Sequence, residues 1–355
     1  MTVRPARFPH RGLDRRGFLR SALVATAASA TGLSARSYAR VVGANDAIRV
    51  GVVGVRSRGV NHLTNCAAIP GVQIAAVCDV DARVLDERIA RLRSQGHEAR
   101  GFRDMRDLLA DKEVDVVSLA TPNHWHALGG IWALEAGKDV YVEKPVSHNV
   151  WEGRQLVRAA EKSGRIVQMG IQSRSGVGIA RALEWARTEP LGRLLAVHGL
   201  CYNRRDSIGS AGGPQPVPTE IDYDLWSGPA PVVPPHRNRK ECGPVYYDWH
   251  WIWHYGNGDL GNQGVHQMDI ARRLGRRASS AEIRDALRGS PAAADAFERL
   301  ASHVAANGVN LNADPLTLGV APAFDPARER FIDSPAADAL LAREYRRGFE
   351  VPEIT

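Results

Sequence analysis

The chain has 355 residues, of which 44% are hydrophobic and 24% charged. Its formal charge of +7 comes entirely from the first 40 residues, which hold eight of the 46 basic side chains and one of the 39 acidic ones, so the remainder balances at 38 of each. That balance removes the main argument for nucleic acid as a partner, since no surplus of Lys and Arg is left to neutralise phosphates.

The first forty residues read as a leader. Asp14-Arg15-Arg16-Gly17-Phe18-Leu19-Arg20 is a twin-arginine pattern, Leu23 to Ala30 is a short apolar stretch, and Ser37-Tyr38-Ala39 offers a small-residue cleavage site. The apolar stretch is too short to cross a bilayer. Residues 1–39 are therefore expected to be a twin-arginine signal peptide, with export to the periplasm and no membrane span; a buried core helix is the competing reading.

From residue 46 to 172, strand and helix patterns alternate. Strands are predicted at Ile48–Val53, Val72–Cys78, Val114–Ala120, Asp139–Val142 and Ile166–Met169, and helical spacing runs over Asp81–Arg93 and more weakly over Trp151–Lys162. Such alternation implies an α/β domain with a doubly wound parallel sheet. The first strand runs into the glycine turn Gly51-Val52-Val53-Gly54-Val55-Arg56-Ser57-Arg58-Gly59, with Arg56 where the middle glycine of G-x-G-x-x-G belongs. Cys78-Asp79 ends the next strand about 20 residues on, where a ribose-binding acid is expected; a plain β-α turn is the bland alternative. Further on, Thr121-Pro122-Asn123-His124-Trp125-His126 caps the strand at 114–120, and Val140-Tyr141-Val142-Glu143-Lys144-Pro145 sets a charged pair at the carboxyl end of a short buried strand. In a parallel sheet that edge is where ligands meet catalytic groups.

After residue 172 the texture changes. Gly170-Ile171-Gln172-Ser173-Arg174-Ser175 leads to a predicted helix over Gly178–Arg187 and one strand over Leu194–Cys201, and then 203–245 reads as loop with eight prolines, expected to lie over a cleft. Six aromatics follow within ten residues, Tyr246 to Tyr255. Indole faces stack on sugar C–H faces, but aromatics also dominate cores, and both uses stay open. A helix from about Asp259 to Arg273 would put Asp259, Asn262, His266 and Asp269 on one stripe. An active site, a solvated face and a metal site all fit such a stripe, although one His with two carboxylates is a poor ligand set and no metal is assigned. The four cysteines lack metal-ligand spacing; Cys66 and Cys78 read as buried thiols, while export would permit a Cys201–Cys242 bridge.

In this order and spacing the glycine turn, the segments at 121–126, 143–145 and 170–175, and Gly256 to Asp269 resemble the Gfo/Idh/MocA family of nicotinamide-dependent oxidoreductases. The resemblance implies a Rossmann-type NAD(P)-binding domain over 46–172, a partial α+β substrate domain over 173–275 and a C-terminal helical tail over 276–355. By the same analogy Gly54, Arg58 and Gly59 receive the pyrophosphate, Asp79 binds the adenosine ribose, and Thr121, Asn123, His126 and Glu143 line the nicotinamide side. NAD is the implied cofactor, with NADP left open because Arg56 and Arg58 lie near. Lys144 is implied as the proton-transfer group, with His266 relaying the proton and positioning the hydroxyl; Asn262 stands where many relatives carry aspartate, and an amide orients a hydroxyl without taking its proton. Past Ala271-Arg272 the resemblance jumps over the hundred or more residues that form the family's long antiparallel strands. The family's sheet-mediated homo-oligomer is accordingly not expected.

Three functions are thus expected from the sequence. One is an exported oxidoreductase acting on a hydroxyl of a sugar, polyol or glycoside. The second is redox-neutral glycoside cleavage, in which transient oxidation acidifies a neighbouring C–H and the hydride then returns. The third, from another class, is a nucleotide-binding remnant with no activity.

Overall fold

A computed structural model of the protein describes residues 47–188, 213–236, 243–274 and 327–355, together with 199, 201, 208, 209, 302 and 323–325. Its contacts divide the chain after Ile48, and the architecture below is that of the second unit, Arg49–Thr355. The leader expected over 1–39 and all but two residues of the strand expected over Leu194–Cys201 lie outside the described residues.

The first domain alternates strictly: β1 (Ile48–Val53), α1 (Arg58–Ala67), β2 (Val72–Cys78), α2 (Ala82–Ser94), β3 (Arg100–Phe102), α3 (Met105–Ala110), β4 (Val116–Leu119), α4 (His126–Glu135), β5 (Asp139–Glu143), α5 (Val150–Ser163) and β6 (Val167–Gly170). The six strands form one parallel sheet in the order β3-β2-β1-β4-β5-β6. This is the Rossmann order, and the reversal between β1 and β4 opens a crevice at the strands' carboxyl ends.

Local chemistry explains the boundaries. Asp81 caps α2 by accepting from the Arg83 and Val84 amides, and Val84, Leu85 and Leu92 are its buried face. Asn149 caps α5 by accepting from Glu152 N–H, and Gly164 ends that helix in the left-handed region. The pair β3 and α3 escaped the sequence reading: three strand residues and six helical ones are too few to show a period, although Asp104 caps α3.

Both faces of the sheet are covered. Val50 and Val52 of β1 pack with Leu63, Val84 and Leu85 from α1 and α2, whereas Val53 joins Leu108, Leu128, Ile131 and Leu156 from α3, α4 and α5. Each such side chain, fully buried, contributes about 1.5–3 kcal/mol.

Beyond β6 the described elements are α6 (Val177–Thr188), α7 (Tyr223–Ser227), α8 (Gly243–Tyr246), a π turn (Leu260–Gly264) that continues as α9 (Val265–Leu274), the antiparallel pair β7 (Phe324–Asp325) and β8 (Arg330–Phe331), and α10 (Pro335–Asp338). The proline-rich stretch carries more order than a loop. Ile221 forms a bridge with Asp81, Asp222 N–H donates to Val80 O, and Trp226 and Tyr255 are buried together in a small third core. The Cys201 thiol donates to Asp259 Oδ2 at 2.9 Å, and Cys242, the partner expected for it from the sequence, lies outside the described residues.

Most of the helical tail expected over 276–355 lies outside the described residues, and residue 302, described within it, is helical; from 323 on, the described residues hold β7, β8, the four-residue α10 and then an irregular segment that returns to the first domain. Phe349, Val351 and Ile354 enter the core beside α4 and α5, with Phe349 edge-on to Trp125 at 5.6 Å and Ile354 N–H donating to Gln155 Oε1 at 2.7 Å. Among the described residues no helix is long and apolar enough to cross a membrane.

Candidate active site

Above the carboxyl ends of β1, β4 and β5 lies a cavity of about 370 Å³. Its floor begins at the glycine turn. Gly54 has φ +81°, and a Cβ there would lie 2.8 Å from the Ala120 carbonyl, so only glycine lets the β1 turn pass under the end of β4. Gly59 does not reach the cavity; a Cβ at 59 would lie 2.1 Å from Gly54 O, which makes it the residue that lets α1 start tight against the turn. The first turn of α1 holds no acidic residue and Ser57 makes no side-chain cap, so its amides are arranged to receive an anion.

Asp79 borders the cavity at the end of β2. Its two carboxylate oxygens accept from Val55 N–H at 2.8 Å and Asp81 N–H at 3.0 Å, which ties the glycine turn to the ribose side. Burial pushes its carboxyl up from the ordinary range.

The opposite wall is built from the ends of β4 and β5 and from α9. Lys144 Nζ donates to the Asn262 backbone carbonyl and, at 3.3 Å, to Asn262 Oδ1. His266 lines the same wall; burial, and then the Lys144 charge, lower its pKa, so the ring is neutral near pH 7, and its Nδ1 has no partner among the described residues. Lys144, Asn262 and His266, called together from the sequence, are thus brought together. Of the four-residue stripe, Asp259 and Asp269 leave the cavity: Asp259 takes the Cys201 thiol, and Asp269 is gripped by Arg174, whose Nε donates at 2.8 Å. The π turn at 260–264 shifts the helical register, which is why a stripe drawn at even spacing overshoots.

Thr121, Asn123, His126 and Glu143 also border the cavity. Among the described residues, the Thr121 hydroxyl and Asn123 Oδ1 are buried without partners, as groups awaiting a polar ligand would be. His126 is spent on backbone: its ring nitrogens face Pro145 O at 2.6 Å and Thr121 O at 2.8 Å, and burial lowers its pKa. It fixes the turn after Lys144.

Glu143 sits under two side chains of α1: Arg58, which the resemblance had placed at the pyrophosphate, and His62, which the sequence reading missed. Its Oε1 accepts from Arg58 Nε at 2.8 Å and His62 Nε2 at 3.0 Å, while His62 Nδ1 meets Ser118 Oγ at 2.8 Å. A carboxylate on one nitrogen fixes the tautomer, with Nε2–H donating and Nδ1 accepting from the Ser118 hydroxyl. The available signal was a histidine one helical turn after Arg58, hence on the same face of α1. Burial alone would raise the Glu143 carboxyl, but the hydrogen bonds from His62 and Arg58 outweigh it and lower it to about 2. Since the folded value lies below the ordinary 4.5, the stabilisation is complete above about pH 4.5 and lost as pH falls through about 2. Glu143→Gln is expected to flatten that part of the stability profile, measured by urea unfolding at several pH values; an unchanged acid limb would dissociate Glu143 from it.

The aromatic cluster divides its labour. Tyr255 is core, Tyr246, Tyr247 and Trp249 border the cavity, and Trp253 is 70% exposed and does neither. Among the described residues no group of three or more His, Cys, Asp or Glu is placed to hold a metal ion.

Residues 48–171 match the family model described as "Oxidoreductase family, NAD-binding Rossmann fold", and residues 207–297, which run across the junction at 272, match "Oxidoreductase family, C-terminal alpha/beta domain". A glycosyl hydrolase family 109 protein of Shewanella pealeana is 33% identical over 197 residues, covering 53% of this chain and 43% of that protein. Inositol 2-dehydrogenase of Salmonella typhimurium is 34% identical over 158 residues, covering 44% and 46%. The WlbA dehydrogenase of Bordetella pertussis, solved with NADH and UDP-GlcNAcA, is similar at 22% identity and a TM-score of 0.48, covering 65% of this chain and 56% of that one. The chain spans less than half the length of these curated relatives.

Proposed function

Because the chain belongs to the Gfo/Idh/MocA family of oxidoreductases, with an NAD-binding Rossmann domain, we propose that it is an exported enzyme that oxidises a hydroxyl of a sugar, polyol or glycoside, with Lys144 as the proton-transfer group. The observation that carries the reading is the meeting of Lys144, Asn262 and His266 on one wall of a cavity whose far end presents Asp79.

The residues fit the dinucleotide: a glycine floor, an anion-ready helix start, a carboxylate at the ribose end, and the unpaired Thr121 and Asn123 oxygens. When bound, it supplies the acceptor for a hydride. The chain's own part is proton handling. Lys144 is the general base that accepts the hydroxyl proton. Asn262 holds Nζ through two oxygens and takes no proton itself. His266, neutral and with Nδ1 unpaired, bonds the same hydroxyl and passes the proton onward. Glu143, anionic across the ordinary pH range, anchors Arg58 at the mouth of the glycine turn.

Export rests on the twin-arginine pattern at 14–20. That route carries folded proteins, so the cofactor loads first, and a hydride removed outside the cytoplasm returns to the same substrate or passes to a second one. A relative named for glycoside hydrolysis favours a second reading, redox-neutral glycoside cleavage. Purified protein given NAD with inositols, free sugars and nitrophenyl glycosides separates them. NADH appearing with polyols or sugars is the expected result, glycoside cleavage with no net NADH supports the second reading, and tight NAD binding with neither leaves a binding protein.

A further inference from the structure

Arg56 occupies the position that a dinucleotide turn of this kind gives to its middle glycine, and the structure shows where the side chain goes. It extends along the adenosine side of the cavity, where its guanidinium lies 3.3 Å from Asp81 Oδ2 and 3.5 Å from the centroid of the Tyr246 ring. Asp81 is almost fully buried, and its other oxygen caps α2. Tyr246 is held from the far side as its hydroxyl accepts from Arg83 Nη2 at 2.9 Å. The ring comes from α8, outside the Rossmann domain, so the adenosine end is closed by a latch joining the β1 turn, α2 and the second domain.

An arginine beside the ribose-binding acid is the group that ordinarily receives the 2′-phosphate of NADP. Here it is turned away from that role by a carboxylate and an aromatic face. Of the other arginines lining the cavity, Arg58 is committed to Glu143, and Arg103 donates to the carbonyls of Val80 and Glu220. We propose that Asp81 and Tyr246 are specificity-determining residues: by pinning Arg56 they make the adenosine site select NAD against NADP, in concert with the negative charge of Asp79. This rests on the dinucleotide-binding reading of the cavity and adds to it which form is taken and why.

The test is direct binding, by calorimetry, of NAD and NADP to the full chain. The unchanged protein is expected to bind NAD at least about tenfold more tightly than NADP, because a 2′-phosphate meets the Asp79 carboxylate while Asp81 and Tyr246 hold Arg56. Asp79→Ser relieves the repulsion. Adding Asp81→Asn, which keeps the helix cap because asparagine caps as well as aspartate, frees Arg56 and is expected to tighten NADP binding about tenfold further. Adding Arg56→Ala to that pair erases the gain. Tyr246→Leu in the Asp79→Ser background is expected to give a smaller gain of the same sign. The inference is overturned if the unchanged protein binds both dinucleotides equally, if Asp81→Asn adds nothing over Asp79→Ser while NAD still binds, or if the gain survives Arg56→Ala. Absence of NAD binding to the unchanged protein would instead overturn the function proposed above, and this inference with it.

Discussion

Lys144→Met is expected to leave NAD affinity within about twofold of the parent and to lower turnover by about a thousandfold, the scale of a lost general acid–base group. The substitution keeps the length of the stem and removes only the group that exchanges protons. Asn262 O and Oδ1, which accept from Nζ, belong to a residue on the cavity wall that His266 also lines. The dinucleotide is assigned to Gly54, Asp79, Thr121 and Asn123, whereas Nζ is bonded to Asn262 on the opposite wall, so binding is expected to persist. Equilibrium titration with NAD gives the first quantity, and single-turnover kinetics on whichever substrate the parent accepts gives the second. Parent-like turnover in the variant would remove Lys144 from the chemistry.

A stability effect of similar prominence is expected at Glu152. This carboxylate is fully buried in the first turn of α5, where Oε1 meets Arg343 at 3.1 Å, Tyr345 Oη at 3.2 Å and Asn149 Nδ2 at 3.1 Å, and Oε2 accepts from His148 N–H at 2.8 Å. Arg343 also donates to the carbonyls of His254 and His124. Glu152→Ala strips these donors of their acceptor and leaves a guanidinium with little access to water, a change that costs about 3–5 kcal/mol. Glu152→Leu combined with Arg343→Met is expected to cost less than either single change, since replacing both members leaves no buried charge without its counter-ion. Urea unfolding of the three variants decides the matter. Single variants within about 1 kcal/mol of the parent would mean that water already solvates the pair.

Strands β1 and β2 were legible in the sequence to the residue because apolar runs bounded by glycine and Cys-Asp leave little choice of register. The cavity's principal groups were legible for a related reason: strand ends in a parallel sheet converge, so Asp79, Thr121 and Glu143-Lys144 share an edge whatever lies between them. His62 was not, because its role depends on which strand end α1 crosses, a tertiary fact. Nor was the split between Asn262 and His266 in the cavity and Asp259 and Asp269 outside it, since a π turn adds a residue that no side-chain pattern announces. The docking of Phe349, Val351 and Ile354 was hidden for the same cause: three apolar residues in an irregular segment have no period to read.

That docking sets an order of events during synthesis. The amide of Ile354 is bonded to a side chain 199 positions earlier, and Phe349 rests on Trp125. A domain whose sheet emerges early from the ribosome therefore waits, its indole face uncovered, for residues translated much later. Such a nascent chain presents a standing target for holdase chaperones, and its maturation is timed by translation of the distal segment rather than by the speed with which the strands pair.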